Sequence, residues 1–509
     1  MDRMAVVDMG SNSFRLVVFQ YEPGGWWSLT DEIREPVRVS AGMGDEGVLG
    51  PEPMERAITT AAVFSSFLTA AGVEKVDAVA TSAIRDARNR DELLAAIRER
   101  AGLEVRVISG AEEAWYGYLA IVNSTTLADG FGIDLGGGSV QLMRISDRRL
   151  VEAESLRLGA VRVSEAFLGD EPASAKQMRE VREHVARALS EFEWWRATDG
   201  ARAAGIGGTI RNLASAVQKR MELPDVDEQG FVLTRAALEE MIELLAARPA
   251  SERGAIRGIK PDRGDVVLGG ALVIAAAMEH AGLEEIEVAE AGLREGMFFA
   301  HMLEGRDPPL LRNVRRASVE NLSQRFATNP AHVDHVARLS LEAFDALREA
   351  GLHDLDDGDR ELLWAACMLH DIGMTVDYDD HHRHSHYLIL HAGLPGFSPR
   401  ELELVALIAR YHRKGAPDAS ELGAMRRDDD PERLRLLCAL IRLAEQLERS
   451  RDQAVTSVKV TVRENDIALG VLARSGADPA VAIWAARRGS GLLAEALGKP
   501  VEVVVEQGS

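Results

Sequence analysis

The chain has 509 residues, 46% of them hydrophobic and 28% charged, which is enough apolar material for packed cores and excludes a disordered chain. Its 59 basic against 81 acidic residues leave a formal charge of −22, which excludes non-specific coating of nucleic acid as the main role. Two cysteines, Cys367 and Cys438, exclude a disulfide scaffold.

The longest apolar run, 266–278, falls short of the ~20 residues that cross a bilayer. No leader pattern precedes the first strand, so a cytoplasmic protein of roughly three or four domains is expected. AVVDMGSNSFRLVVF, from Ala5, reads as a strand, a turn of small residues and a second strand. Residues 54–71 read as an amphipathic helix, 76–81 as a buried strand and 91–100 as another helix. Residues 105–109 form a strand leading into SGAEEAWYGYLAI, a helix with acidic residues in its first turn.

GFGIDLGGGSVQLMRI, from Gly130, then repeats the first hairpin. Asp8, Gly10, Ser13 and Leu16 correspond to Asp134, Gly136, Ser139 and Leu142, each 126 residues further on. The repeat predicts two similar α/β lobes with facing turns. Two more glycine turns follow, GIGGTIRNLA from Gly205 and EAGLREGM from Glu290. Beyond Arg306 the pattern is helical to about Arg451, and this stretch holds ten of the thirteen histidines. After Asp452 it alternates as a small β-rich domain would. The expected division is 1–124 with a return of 292–306, then 125–291, 307–452 and 453–509.

Gly10, Ser11, Asn12 and Ser13 in one turn, and Gly136, Gly137, Gly138 and Ser139 in the other, offer consecutive backbone N–H groups with little side chain in the way. Such turns form nests for phosphate oxygens, and two of them facing each other would grip a di- or polyphosphate. The aspartate opening each turn, Asp8 and Asp134, suits Mg²⁺ beside bound phosphate. Gly207, Gly208 and Thr209 of the third turn are weaker phosphate-binding candidates, since no acid follows at dinucleotide spacing. Glu112 and Glu113 are either complements to a helix dipole or the carboxylates that orient and deprotonate water. No P-loop and no GxSxG elbow is present.

VVDMGSNSFRLVV, ATSAIRDA, ISGAEEA, IDLGGGSVQL, GIGGTIRNLA and GLREGM occur in the order seen in the exopolyphosphatase and guanosine pentaphosphate phosphohydrolase (Ppx/GppA) family, which the chain resembles over about residues 4–300. LLWAACMLHDIGM, HHRHSHYLI and LIARYHRKG resemble the family's long form. The resemblance implies two actin-like (ribonuclease H-like) lobes with the active site between them, then an all-α HD-like domain and a small β-rich one. It implies a phosphoanhydride hydrolase that removes terminal phosphate from inorganic polyphosphate or from pppGpp, with Mg²⁺ and optionally a monovalent cation, usually as a homodimer. Neither nucleic acid nor a membrane is required.

Residue by residue, Glu113 matches the family's catalytic base, Asp134 its metal-associated aspartate, and Arg85 an arginine facing the phosphates. The turns 10–13 and 136–139 match its phosphate-binding turns. After GGGS the family typically has Thr-Glu; here Val140-Gln141 stands there, so Gln141 would support the metal or its water without a charge. His332, His370, Asp371, His384 and His412 match an HD-type site for a second divalent metal, with Glu445 where HD domains usually carry Asp. In the long form this domain is generally taken as structural. His381, His382, His386 and His391 are read as surface or packing residues. The basic loop 257–263, with Arg257, Lys260 and Arg263, is read as solvated, or else as a funnel for an anionic chain. Two other function classes remain open: a kinase on the same fold, and a non-catalytic polyphosphate or alarmone sensor.

Overall fold

The structure, a computed structural model, describes residues 1–43, 46–198, 200–224, 227–326 and 329–506. It divides into one unit of Met1–Met221 with Glu228–Val314 and another of Glu222–Asp227 with Arg315–Ser509. No helix among the described residues is long and apolar enough to cross a membrane.

The first unit is built on two sheets of matching topology. The first sheet draws on β1 (Asp2–Met9), β2 (Phe14–Tyr21), β3 (Trp27–Glu35), β4 (Lys75–Ala80) and β5 (Val105–Val107), in the order β3-β2-β1-β4-β5. Helices α1 (Pro51–Ala71), α2 (Ser82–Asp86) and α3 (Arg90–Ala101) accompany it. Val7, Met9, Leu16 and Val18 from β1 and β2 meet Phe64 and Leu68 of α1 in its core. The start of α1 carries prolines where the first N–H groups lack partners anyway, and Gly72 ends it in the left-handed conformation at φ 64°.

Helix α4 (Gly110–Ser124) leads to β6 (Gly130–Leu135), β7 (Val140–Ser146) and β8 (Arg149–Leu156). Then come α5 (Ala160–Phe167), α6 (Ala175–Leu189), β9 (Ala203–Ile206), α7 (Gly208–Arg220), β10 (Val232–Thr234), α8 (Arg235–Ala246), α9 (Ala250–Arg253), α10 (Val267–Ala281), β11 (Glu285–Val288) and α11 (Leu293–Met302). The second sheet runs β10-β11-β9-β6-β7-β8. In both sheets an antiparallel meander of three strands is followed by parallel neighbours. The hairpins correspond in register: Asp8 pairs with Arg15 across β1 and β2, and Asp134 with Gln141 across β6 and β7. These are the two similar α/β lobes that the repeated hairpin predicts, and they are actin-like as the resemblance implies.

The second unit is mostly helical: α12 (Val314–Arg325), α13 (Pro330–Glu349), α14 (Asp357–Leu369), α15 (His381–Ala392), α16 (Pro399–Arg410) and α17 (Asp430–Leu447). It ends in a three-stranded sheet of β12 (Val455–Val462), β13 (Ile467–Ala473) and β14 (Val501–Glu506), with α18 (Ala480–Gly489) and α19 (Gly491–Leu497). The sequence pattern changes style at 452, yet one apolar core runs across that point and includes Leu437, Leu440, Val455, Val471 and Ile483.

Candidate functional site

The two hairpin turns meet across a cleft of about 870 Å³ in the first unit. Its lining includes Asp8, Gly10, Ser11, Asn12 and Ser13 from the first turn, and Asp134, Gly136, Gly137 and Ser139 from the second. Gly207, Gly208 and Thr209 line it too. The approach is close enough to exclude side chains: a Cβ on Gly138 would collide with the hydroxyls of Ser11 and Ser82. Those hydroxyls lie 3.2 Å apart. In the second turn the carbonyls of Gly136 and Gly137 accept hydrogen bonds from Ala160 (3.0 Å) and Val161 (2.9 Å) at the start of α5. That ties the oxygens down, and since the Gly136 N–H donates to the Ser139 carbonyl at 3.0 Å, the N–H groups left for an anion are those further into the turn. Gly207, at φ 108°, starts α7 against β6, where a Cβ would meet the Leu135 carbonyl.

Helix α4 delivers Glu113. Ser109 and Glu112 form a capping box that fixes its first turn. Gly117, one turn beyond Glu113, lets the helix lie against β6, since a Cβ there would sit 3.3 Å from Asp134 Oδ2. Glu113 is buried, and its Oε2 accepts a hydrogen bond from Arg85 Nη1 at 2.9 Å. Ser139 Oγ lies 3.5 Å from Oε1. Behind it, Gln141 Nε2 donates to Ser139 Oγ (2.9 Å) and to Ser155 Oγ (3.0 Å). Because Gln141 donates, the Ser139 proton is free to point at Glu113.

Three carboxylates therefore share one site, Glu113 and Asp134 buried and Asp8 half-buried. Burial raises Asp8, against the pull of Arg294 and Arg15. Burial, then the charges of Glu113 and Asp8, push Asp134 up to about 7. Burial also raises Glu113, although Arg85 opposes it. Around them Arg15, Arg211, Arg263 and Arg294 line the same cleft. Burial, then Arg294 and Arg211, bring Arg15 down to about 9. Cations that destabilise one another in a dry pocket are poised for an anion. A neighbouring recess of about 400 Å³ shares Arg15, Arg211 and Arg263 and adds Arg34 and Lys260.

Four expectations change. Glu112 is not in the cleft: its carboxylate accepts from Ser109 N (2.8 Å) and Oγ (2.9 Å), and its side chain is 51% exposed. One residue along a helix is a rotation of ~100°, so only one of two adjacent glutamates can face the phosphates. Arg85 does not line the cleft either; its guanidinium bridges Glu113 and the Ile108 carbonyl (3.1 Å), one step behind the carboxylate. Gln141 lies behind Ser139, where its amide nitrogen donates to two hydroxyls, and it does not line the cleft. His384 is replaced by His381: α15 starts at His381, which is buried against His412, whereas His384 faces partly outward nearly a turn later.

His332, His370, Asp371 and His412 do come together in the second unit, joined by Glu445. The basic loop divides: Arg263 lines the cleft, Lys260 lines the recess and Arg257 is exposed. Sequence reasoning missed Arg15, Arg211 and Arg294. Each lies two or three residues beyond the small residues of a glycine turn, a signal that SNSFR, GGTIR and AGLR display.

Paired small-residue turns, buried carboxylates and an arginine wall between two duplicated lobes define a protein that handles phosphoryl groups. The chain belongs to the Ppx/GppA phosphatase family, a family of hydrolases, which matches residues 17–304; its domain III matches residues 314–475. A solved family member from Aquifex aeolicus is 28% identical, with TM-score 0.52, over 60% of this chain and 98% of its own. A solved exopolyphosphatase from Cytophaga hutchinsonii shares the fold at 23% identity and TM-score 0.55, over 59% of this chain and 98% of its own.

Proposed function

We propose that the cleft hydrolyses the terminal phosphoanhydride of inorganic polyphosphate. The observation that carries this is Glu113, a buried carboxylate of raised proton affinity that shares one cavity with both phosphate-type turns and four arginines. The turns and arginines would hold the terminal phosphoryl group, and Glu113 would accept a proton from water as its oxygen attacks phosphorus. The bridging P–O bond breaks, its electron pair stays on the shortened chain, and orthophosphate leaves.

Asp8 and Asp134 fit Mg²⁺, since two carboxylates in one cleft, with the charge of Asp8 raising the proton affinity of Asp134, form a hard oxygen donor set. When bound there, the ion would neutralise charge on the phosphoryl oxygens. Gln141→Glu adds a carboxylate behind Ser139, so the variant should reach half-maximal rate at a lower Mg²⁺ concentration. An unchanged Mg²⁺ titration would show that position 141 does not tune cation affinity.

The cations of the recess, Arg34, Arg211, Lys260 and Arg263, suit the rest of a polyanionic chain. One observation favours pppGpp instead: Glu228 stands in the same recess, and a carboxylate there suits the N–H edge of guanine better than phosphate. Phosphate release from long-chain polyphosphate and from pppGpp, measured in parallel with Mg²⁺, tests the choice. Faster release from polyphosphate is expected. Faster release from pppGpp would move the same chemistry to alarmone hydrolysis, and binding without release from either would leave a sensor.

A further inference from the structure

The second unit gathers six ligand-type side chains from the ends of its helices. His332 lies in the first turn of α13, His370 and Asp371 follow α14, and His381 opens α15. His412 follows α16, and Glu445 sits in the last turn of α17. Their relative exposure runs from 0% for His370 to 9% for Glu445, so water is nearly excluded.

The hydrogen bonds of three imidazoles fix their tautomers. Nδ1 of His370, His381 and His412 faces the carbonyl three residues earlier: Cys367 at 2.6 Å, Tyr378 at 2.8 Å and Ala409 at 2.6 Å. A carbonyl only accepts, so each Nδ1 bears the hydrogen, and in a neutral ring Nε2 is a bare lone pair. Those lone pairs point at other acceptors. Nε2 of His381 is 3.1 Å from Nε2 of His412 and 3.4 Å from Asp371 Oδ1. Nε2 of His370 is 3.5 Å from Asp371 Oδ1 and 3.4 Å from Glu445 Oε2. Nε2 of His332 is 3.0 Å from Glu445 Oε2 and 3.8 Å from Asp371 Oδ2.

Both ring nitrogens of His332, Nε2 of His370 and Oε2 of Glu445 are buried without an ordinary hydrogen bond. Acceptors facing acceptors in a dry site repel unless a cation lies between them. Ligands at ~2.1 Å from one metal ion are ~3.0 Å apart at right angles and ~3.4 Å apart at the tetrahedral angle, which is the spacing found here. Backbone carbonyls behind the imidazoles supply the second layer that orients metal-binding rings, and Arg451 Nη2, 2.7 Å from Asp371 Oδ2, orients the carboxylate.

We propose that these residues form a two-position transition-metal centre, one position among His332, His370 and Glu445, the other between His381 and His412, with Asp371 shared by both. The imidazole-rich donor set selects Zn²⁺, Fe²⁺, Mn²⁺ or a similar ion over Mg²⁺ or Ca²⁺. The centre is independent of what the cleft hydrolyses.

The test is elemental analysis of the full chain, purified without chelator, reconstituted with Zn²⁺, Mn²⁺ or Fe²⁺ in turn and dialysed. Two equivalents of one metal per chain are expected in the wild type. His381→Gln and His332→Gln should each lose one, and His384→Ala should keep both, with circular dichroism confirming that each variant is folded. Co²⁺ in place of the native metal should give visible d–d bands that His381→Gln weakens. No metal above trace after reconstitution would overturn the centre and assign the cluster to protonated imidazoles. A single equivalent, or a content that His381→Gln leaves unchanged, would overturn the paired arrangement.

Discussion

Glu113→Gln is expected to lower the rate of phosphate release by about 10²–10⁴-fold, the usual worth of a positioned general base, with little change in the concentration of polyphosphate needed for half-saturation. The amide keeps the size of the carboxylate and an oxygen for Arg85, so the cleft should stay assembled. What is lost is the ability to take a proton from water. The pH profile supplies the second readout. Because burial raises Glu113 above the ordinary carboxylate range, the wild-type rate should rise through that displaced pKa and level off above it. The variant should lack that limb. Initial rates across pH at saturating Mg²⁺ would decide, and a variant within tenfold of the wild type would remove Glu113 from the chemistry.

The second large effect has opposite signs for activity and stability. Asp134→Asn should cut turnover by more than about 100-fold, yet raise the melting temperature of the metal-free protein by several degrees at pH 8. The sign follows from linkage. The carboxyl ordinarily titrates near 3.8 and is pushed up to about 7 in the folded chain. Between those values the folded state holds a proton that the unfolded state gives up, so stability falls as pH rises through that window and stays reduced above it. That displacement corresponds to a ceiling of about 4 kcal/mol, and unpaired amide hydrogens in the variant take back part of it. Calorimetry in EDTA at pH 5 and pH 8 is the measurement. A variant that gains nothing at pH 8, or as much at pH 5, would show that charge on Asp134 is not what destabilises the fold. With Mg²⁺ present the difference should shrink, because the ion stabilises the wild type.

The fold was legible largely because the first unit is written twice. The repeat at 126 residues carried both hairpins, their turns and the two aspartates, and the alternation of strand and helix patterns carried the layers between them. Less legible was which of several adjacent polar groups turns inward. Glu112 and Glu113 are neighbours in the same acidic block, and only the helix phase set by the capping box separates them. Gln141 occupies the position of an expected acid, but β7 aims it at Ser139 and Ser155 rather than into the cleft. His381 and His384 differ by less than a helical turn, and the start of α15 decides between them. The arginine wall was hidden for another reason. Arg15, Arg211 and Arg294 are far apart in the chain, and their long side chains converge with Arg263 only in the folded cleft.

The matched registers of the two hairpins have a consequence for direction. A cleft built from two identical halves would accept a phosphoryl group equally well either way round. Among the equivalent positions at which the halves differ, one changes the charge: Asp8 faces Arg15 across its hairpin, while Asp134 faces the uncharged Gln141. The carboxylate of the first half has a cation beside it and that of the second does not, so the two halves are not electrostatically equivalent. On the proposed function, this departure from internal symmetry would give the cleft a head and a tail, one side for the phosphoryl group that leaves and the other for the rest of the substrate.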